Sequence, residues 1–191
     1  MALRAKYIGY AKGTQNHGDE ALLWILHDLL APEIELAADW GEFEIALLGG
    51  GTLINQSSWL IDEFQKALAQ ARFGLVLGTG VGHPSFWGNH FQRWIPLLEQ
   101  CAFVGVRGPH SLALLRRHGL TQGQCIGDPY LWLRSPVERP FSPKCLGINF
   151  GSTNDALWGG TDAALHRFLE EVLRQLQAQG WSFVWVSVWA K

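Results

Sequence analysis

Arg107 holds the clearest chemical position in this chain of 191 residues. It closes the apolar run Cys101 to Val106 and directly precedes Gly108-Pro109. Proline is favoured at the first helical position, so Pro109 predicts a helix start, and Gly119 predicts its end. A guanidinium placed there can converge with the open amides of Gly108 to Ser111 on one phosphate or carboxylate. A second reading is a structural ion pair with Asp128, at the neighbouring strand end. His83 and His110 lie at the same edge, and His110 and Ser111 join Arg107 as candidate ligand contacts.

A second cluster is Asn16-His17-Gly18-Asp19-Glu20. The loop amides around Asn16 and Gly18 can hold an anionic group while Asp19, the candidate catalytic carboxylate, positions a hydroxyl. The alternative is that Asp19 and Glu20 cap a helix, because acidic side chains complement the dipole of a first turn. His17 reads as a loop residue.

Five predicted strands end in glycine or beside one: Gly9, Gly49-Gly50-Gly51, Gly78 to Gly82, Arg107-Gly108 and Gly127-Asp128. Any one turn of this kind needs glycine for backbone reasons alone. Five in succession point to a ligand cleft along one edge, with Gly49, Gly50, Gly51 and Gly80 as candidate contacts. Neither a G-x-G-x-x-G fingerprint with a ribose-binding acid nor a complete P-loop occurs, which disfavours a standard dinucleotide or P-loop site. Ten tryptophans are present, and Trp87, Trp94, Trp132 and Trp158 are candidate stacking surfaces, although most tryptophans belong in a core.

The elements that must position these residues alternate. Strands are predicted at Lys6–Tyr10, Glu33–Ala37, Phe43–Leu48, Leu75–Leu77, Cys101–Val106 and Gln124–Ile126. Helices follow from Asp19 to Pro32, from Ser57 or Ser58 through Ala71, around Asn89 to Glu99 with Pro96 inside, and from Pro109. Such alternation predicts an α/β fold, a parallel sheet with helices on both faces, whose ligands sit beyond the carboxyl ends of the strands.

Pro136, Pro140 and Pro143 mark a linker. The predicted organisation is therefore a first domain over 1–134, a Pro-rich linker over 135–144, and a partial second domain over 145–191. That last part reads as one βαβ unit, with strands at Cys145–Phe150 and Phe183–Trp189. Between them Thr161 can cap a helix whose stripe is Leu165, Phe168, Leu169, Val172, Leu173 and Leu176. A piece this small cannot cover both faces of its own strands. It either adds to the first sheet or is most of a domain short, with another copy or a partner chain covering its open face.

Lys+Arg 15 against Asp+Glu 17 leaves a net charge of −2, which gives no general affinity for nucleic acid or anionic lipid. Hydrophobic residues make up 48% and charged residues 17%, enough for a packed core. No apolar run reaches the roughly 18–20 residues of a membrane span, and no signal peptide is evident. Cys101, Cys125 and Cys145 form no C-x-x-C pair, so neither a disulfide framework nor a metal site is expected. These features predict a cytoplasmic protein.

Taken in order, the strings resemble the polysaccharide pyruvyl transferase family. They are Gly9-Tyr10 through Asn16-His17-Gly18-Asp19-Glu20-Ala21-Leu22, Leu48-Gly49-Gly50-Gly51-Thr52-Leu53, Gly78-Thr79-Gly80-Val81-Gly82, Val104 to Leu112, Leu115 to Gly119, and Ile126-Gly127-Asp128-Pro129. Cys145 to Phe150 looks like the first strand of the family's second domain. The resemblance implies two Rossmann-like domains facing a cleft, a GT-B-like architecture with the second domain incomplete here. It implies transfer of the enolpyruvyl moiety of phosphoenolpyruvate to sugar hydroxyls of a cell-surface glycan or its lipid-linked precursor, without a separate cofactor. Arg107 matches the family's strand-end arginine and is carried over as a donor-binding residue. An Arg-x-His-like string implied for the second domain has no counterpart after Gly151, so the chain reads as truncated and the general acid is unassigned. The alternatives are a non-catalytic Rossmann-like anion-binding remnant and a nucleotide-sugar glycosyltransferase of the same fold.

Overall fold

The computed structural model describes residues 2–9, 16–37, 39–85, 88–133, 144–149 and 162–186. The chain divides into two compact units, Met1–Arg134 and Ser135–Lys191. In the first unit the strands are β1 (Leu3–Ile8), β2 (Ile34–Ala37), β3 (Ile45–Gly49), β4 (Phe73–Thr79), β5 (Phe103–Val106) and β6 (Gln124–Cys125). Its helices are α1 (His17–Leu30), α2 (Ser58–Leu68), α3 (Phe91–Leu98) and α4 (Pro109–Arg117), followed by a 3-10 turn at Pro129–Trp132.

All six strands are parallel, in the order β2-β1-β3-β4-β5-β6. Two-residue periodicity explains how the sheet is covered. Ile45 and Leu47 of β3 pack with Ala5, Tyr7 and Leu26, the side closed by α1. Ala46 and Leu48 pack with Leu60, Phe64, Trp94 and Leu115, the side closed by α2, α3 and α4. The chain thus winds one way from β1 to β2 and the other way from β3 onward. The reversal opens a crevice beyond the carboxyl ends of β1 and β3, where sheets of this order hold their ligands.

Local chemistry fixes the boundaries. Helix α1 starts at His17, two residues before the acidic pair, because the Asn16 side-chain oxygen accepts from the Gly18 and Asp19 amides at 2.9 and 3.3 Å. Asp19 and Glu20 occupy its first turn, as the dipole favours. Ser57 sits at the N-cap of α2, but its side chain makes no capping hydrogen bond. Pro96 lies within α3, near the end of a short helix. The 3-10 turn has no apolar period to announce it; the Asp128 side chain caps it, accepting from the Tyr130 amide at 3.1 Å.

In the second unit β7 (Cys145–Ile148) and β8 (Ser182–Trp185) pair in parallel, and α5 (Asp162–Ala178) lies between them in sequence. Leu165, Leu169, Val172, Leu173 and Leu176 are half-buried along α5. Phe168, expected within that stripe, falls at its margin and is exposed. Val184, Trp185 and Val186 are also exposed. The linker, the Thr161 cap, Trp87 and Trp158 lie outside the described residues.

Trp94 is fully buried, so it is no stacking surface for a ligand. Its ring lies 6.2 Å from Phe64, and its Nε1–H donates to the Asn55 carbonyl at 2.7 Å. Trp94→Phe leaves that carbonyl without its donor and opens space in the core. The expected loss is about 1–3 kcal/mol, seen as a lower urea midpoint at unchanged slope. An unchanged midpoint would contradict this packing.

Candidate active site

The carboxyl edge is built from β-strand ends, two helix starts and the 3-10 turn. At the crevice, Tyr7 points its phenol along the end of β1, where the buried hydroxyl donates to the Gly49 carbonyl at 2.9 Å. Gly49 closes β3, and Gly50 follows with φ +73°, a conformation that suits glycine. A Cβ on Gly50 would stand 2.9 Å from Leu22 Cδ1, so the residue also admits close approach of α1. The Gly50 amide donates to the Leu77 carbonyl at 3.2 Å, and the Gly80 amide donates to the Gly51 carbonyl at 2.7 Å. The Gly18 amide is held by Asn16. The amides of Gly18, Gly50 and Gly80 are thus engaged within the protein.

Arg107 follows β5, anchored through its backbone amide to the Thr79 carbonyl at 3.0 Å. Its side chain lies across the end of β4. A Cβ on Gly80 would come within 2.7 Å of Arg107 Nε, so a larger residue there would make the guanidinium shift. Nη2 donates to Thr52 Oγ1 at 2.8 Å, and Nη1 stands 3.6 Å from Asp128 Oδ2. Both partners of that ion pair are more than a third exposed or nearly so, at 39% and 34%. A single-pronged pair so open to water contributes on the order of 1 kcal/mol or less. The ion pair foreseen as an alternative is thus present, and it is weak enough for an anionic ligand to compete for the guanidinium.

The loop after β4 runs beside the start of α4. Ser111 Oγ accepts from the Val81 amide at 3.3 Å. Two residues on, His83 stacks on His110 with ring centroids 6.2 Å apart and planes 18° from parallel. His83 Nδ1 lies 3.2 Å from the Ser85 amide and 2.6 Å from Ser85 Oγ.

Tyr130 joins the two ends of this edge. Its hydroxyl donates to the Gly18 carbonyl at the start of α1, while its amide is held by Asp128, the partner of Arg107. The edge is therefore one connected arc from Asn16 and Asp19 to Arg107. Burial raises the Asp19 carboxyl above the usual carboxylate range. The phenols of Tyr7 and Tyr130 are pushed upward too, first by burial and then by the Asp19 carboxylate, with Asp128 adding to the effect on Tyr130. Asp19 is accordingly a half-buried acid whose charge acts on two neutral phenols, suited to accepting a proton. Among the described residues no group of three or more His, Cys, Asp or Glu is placed to hold a metal ion.

The family profile described as polysaccharide pyruvyl transferase matches residues 9–191, nearly the whole chain. This chain belongs to the polysaccharide pyruvyl transferase family. No curated protein matches it. Among solved structures it is similar to a functionally uncharacterized protein from Klebsiella pneumoniae, at 13% identity and a TM-score of 0.55. The alignment covers 78% of this chain and 58% of that one, so this pyruvyl transferase family member spans little more than half of that chain's length. That likeness speaks to the fold alone. No helix among the described residues is long and apolar enough to cross a membrane.

Sequence reasoning singled out Asn16, Gly18, Asp19, Arg107, His110 and Ser111 but passed over Tyr7, Thr52 and Tyr130 as site residues. The signals were slight: Tyr7 shares the α1-facing register of β1, and Tyr130 follows Asp128-Pro129 at capping distance.

Asp19 supplies a test of the electrostatics. Its raised folded pKa means that the folded protein holds this proton more tightly than the unfolded chain. The ionised carboxylate is then a penalty above the folded pKa, and the penalty fades as pH falls through it toward the ordinary value near ~3.9. Asp19→Asn is expected to melt no lower than the parent at about pH 7, with any advantage shrinking toward about pH 4. A large destabilisation that persists at both pH values would show instead that the carboxylate holds the fold together.

Proposed function

We propose that this family member is a phosphoenolpyruvate-dependent pyruvyl transferase acting on a saccharide. Family membership over residues 9–191 is the observation that carries the reading, and the position of Arg107 supports it. Phosphoenolpyruvate is a small trianion. Arg107 is a fitting anchor for its phosphate or carboxylate, because the guanidinium offers planar donors at a strand end and is held in place by Thr52 and only a weak ion pair. Ser111 and His110, at the first turn of α4, are the proposed further contacts to the donor.

The reaction forms a ketal. A proton reaches the methylene carbon of the donor, the bond from C2 to the phosphate oxygen breaks, and two sugar hydroxyl oxygens bond to C2. The two hydroxyl protons balance the methyl group gained and the monohydrogen phosphate released. Asp19 is the proposed base for the attacking hydroxyl, its carboxylate kept basic by burial. No separate cofactor is required. The acceptor is a glycan or a lipid-linked saccharide, and a donor drawn from central metabolism places the reaction in the cytoplasm.

Calorimetric titration of the chain with phosphoenolpyruvate at moderate salt tests the donor assignment. Arg107→Ala is expected to weaken binding by about tenfold or more, since a charge-assisted hydrogen bond contributes ~1.5–3 kcal/mol, while the melting temperature stays near the parent's. Equal affinity in parent and variant would remove Arg107 from the site. Preference for a nucleotide sugar over phosphoenolpyruvate would turn the reading toward a glycosyltransferase.

A further inference from the structure

We propose that the exposed face of α1 is a carbohydrate subsite, in which Trp24 stacks on a pyranose ring of the acceptor; this rests on the pyruvyl transferase reading above. His17, Glu20, Ala21, Trp24 and Asp28 share one face of the helix, with the buried Leu22 and Leu26 on the other side and Ile25 at the margin of the cavity. With Leu133 they line a cavity of about 340 Å³, within the range of ~300–1,000 Å³ usual for small-molecule sites. Trp24 also borders a second cleft of about 420 Å³, shared with His27 and Leu36, and so stands as a ridge between the two.

The side chain of Trp24 is 69% exposed in the middle of an amphipathic helix. Burial of its ring contributes little to the fold, and helix propensity does not favour tryptophan there. Leu133, in the wall of the same cavity, is 57% exposed and adds apolar surface beside it. One helical turn to either side of Trp24 stand Glu20 and Asp28. A pyranose has an apolar C–H face and a rim of hydroxyls. An aromatic ring accepts the first, and flanking carboxylates accept hydrogen bonds from the second. Among the described residues the cavity lining holds two acids and neither Lys nor Arg.

The subsite is continuous with the candidate active site. Asp19 lies on the same helix, one residue before Glu20. The turn that donates the Tyr130 hydroxyl to the Gly18 carbonyl leads directly into Leu133 of the cavity wall. A saccharide seated on Trp24 thus extends along α1 toward the carboxylate proposed to activate its hydroxyl.

Saturation-transfer NMR on the whole chain with methyl glucoside, galactoside, mannoside and N-acetylglucosaminide tests this. Transfer to ring C–H protons of at least one glycoside is expected. Trp24→Ala should weaken that binding by about 2- to 10-fold, the range for one lost aromatic contact, whereas Trp24→Phe should retain most of it. Phosphoenolpyruvate binding, read by calorimetry on the same variants, should stay at the parent's level. No transfer from any of the four glycosides, or equal transfer to parent and Trp24→Ala, would overturn the proposal. So would a parallel loss of phosphoenolpyruvate binding, which would place Trp24 in the donor pocket or the fold. A parent that takes up glycosides but not phosphoenolpyruvate would defeat the transferase reading and leave the carbohydrate subsite standing.

Discussion

Strand β3 must be covered on both faces. Residues Ile45 to Gly49 are all buried, and a strand with no solvent face needs helices above and below it. Helix α1 closes one side through Leu26, and α2 closes the other through Leu60 and Phe64. Serving both sides forces the chain to change its winding direction between β1 and β3. The crevice at the carboxyl edge follows from that reversal, and it places Tyr7, Gly49 and the first turn of α1 around one opening. The candidate site sits at the point where the packing problem is solved.

Along that edge the internal hydrogen bonds decide what is left for a ligand. Backbone amides that glycine-rich strand ends seem to offer are largely committed: Gly18 to Asn16, Gly50 to Leu77, Gly80 to Gly51. In the proposed site, recognition therefore falls to side chains. Arg107 is fixed by Thr52 yet paired only at 3.6 Å with a partly exposed Asp128, so an anion can displace the pair at small cost. Asp19 contributes the opposite property, a half-buried acid whose carboxylate raises the phenols of Tyr7 and Tyr130. Cation and acid are joined through Asp128 and Tyr130, which gives the edge a positional memory that neither helix start has alone.

Much of this was legible in the residues. Alternating apolar segments predicted a parallel α/β sheet, and the strings around Asn16, Gly49 and Arg107 led to the family. Capping was misjudged at α1, where Asn16 opens the helix two residues before the acids. The glycines were read as ligand amides because sequence marks close approach without saying what approaches; at Gly80 it is Arg107 itself. Tyr130 could not be foreseen, since its hydroxyl bond spans 112 positions to Gly18 and depends on the register of the whole sheet. Trp24 was hidden by its helix: periodicity identifies the buried stripe, while an aromatic on the other face has meaning only once the neighbouring turn supplies Leu133.

The most direct test of the central claim is amide hydrogen exchange with and without phosphoenolpyruvate. Ligand at the carboxyl edge predicts slower exchange in the segments 49–54, 79–83 and 107–112, with the amino-terminal edge around Trp40 to Phe43 unchanged. Protection confined to other segments, or none at saturating ligand, would contradict the account.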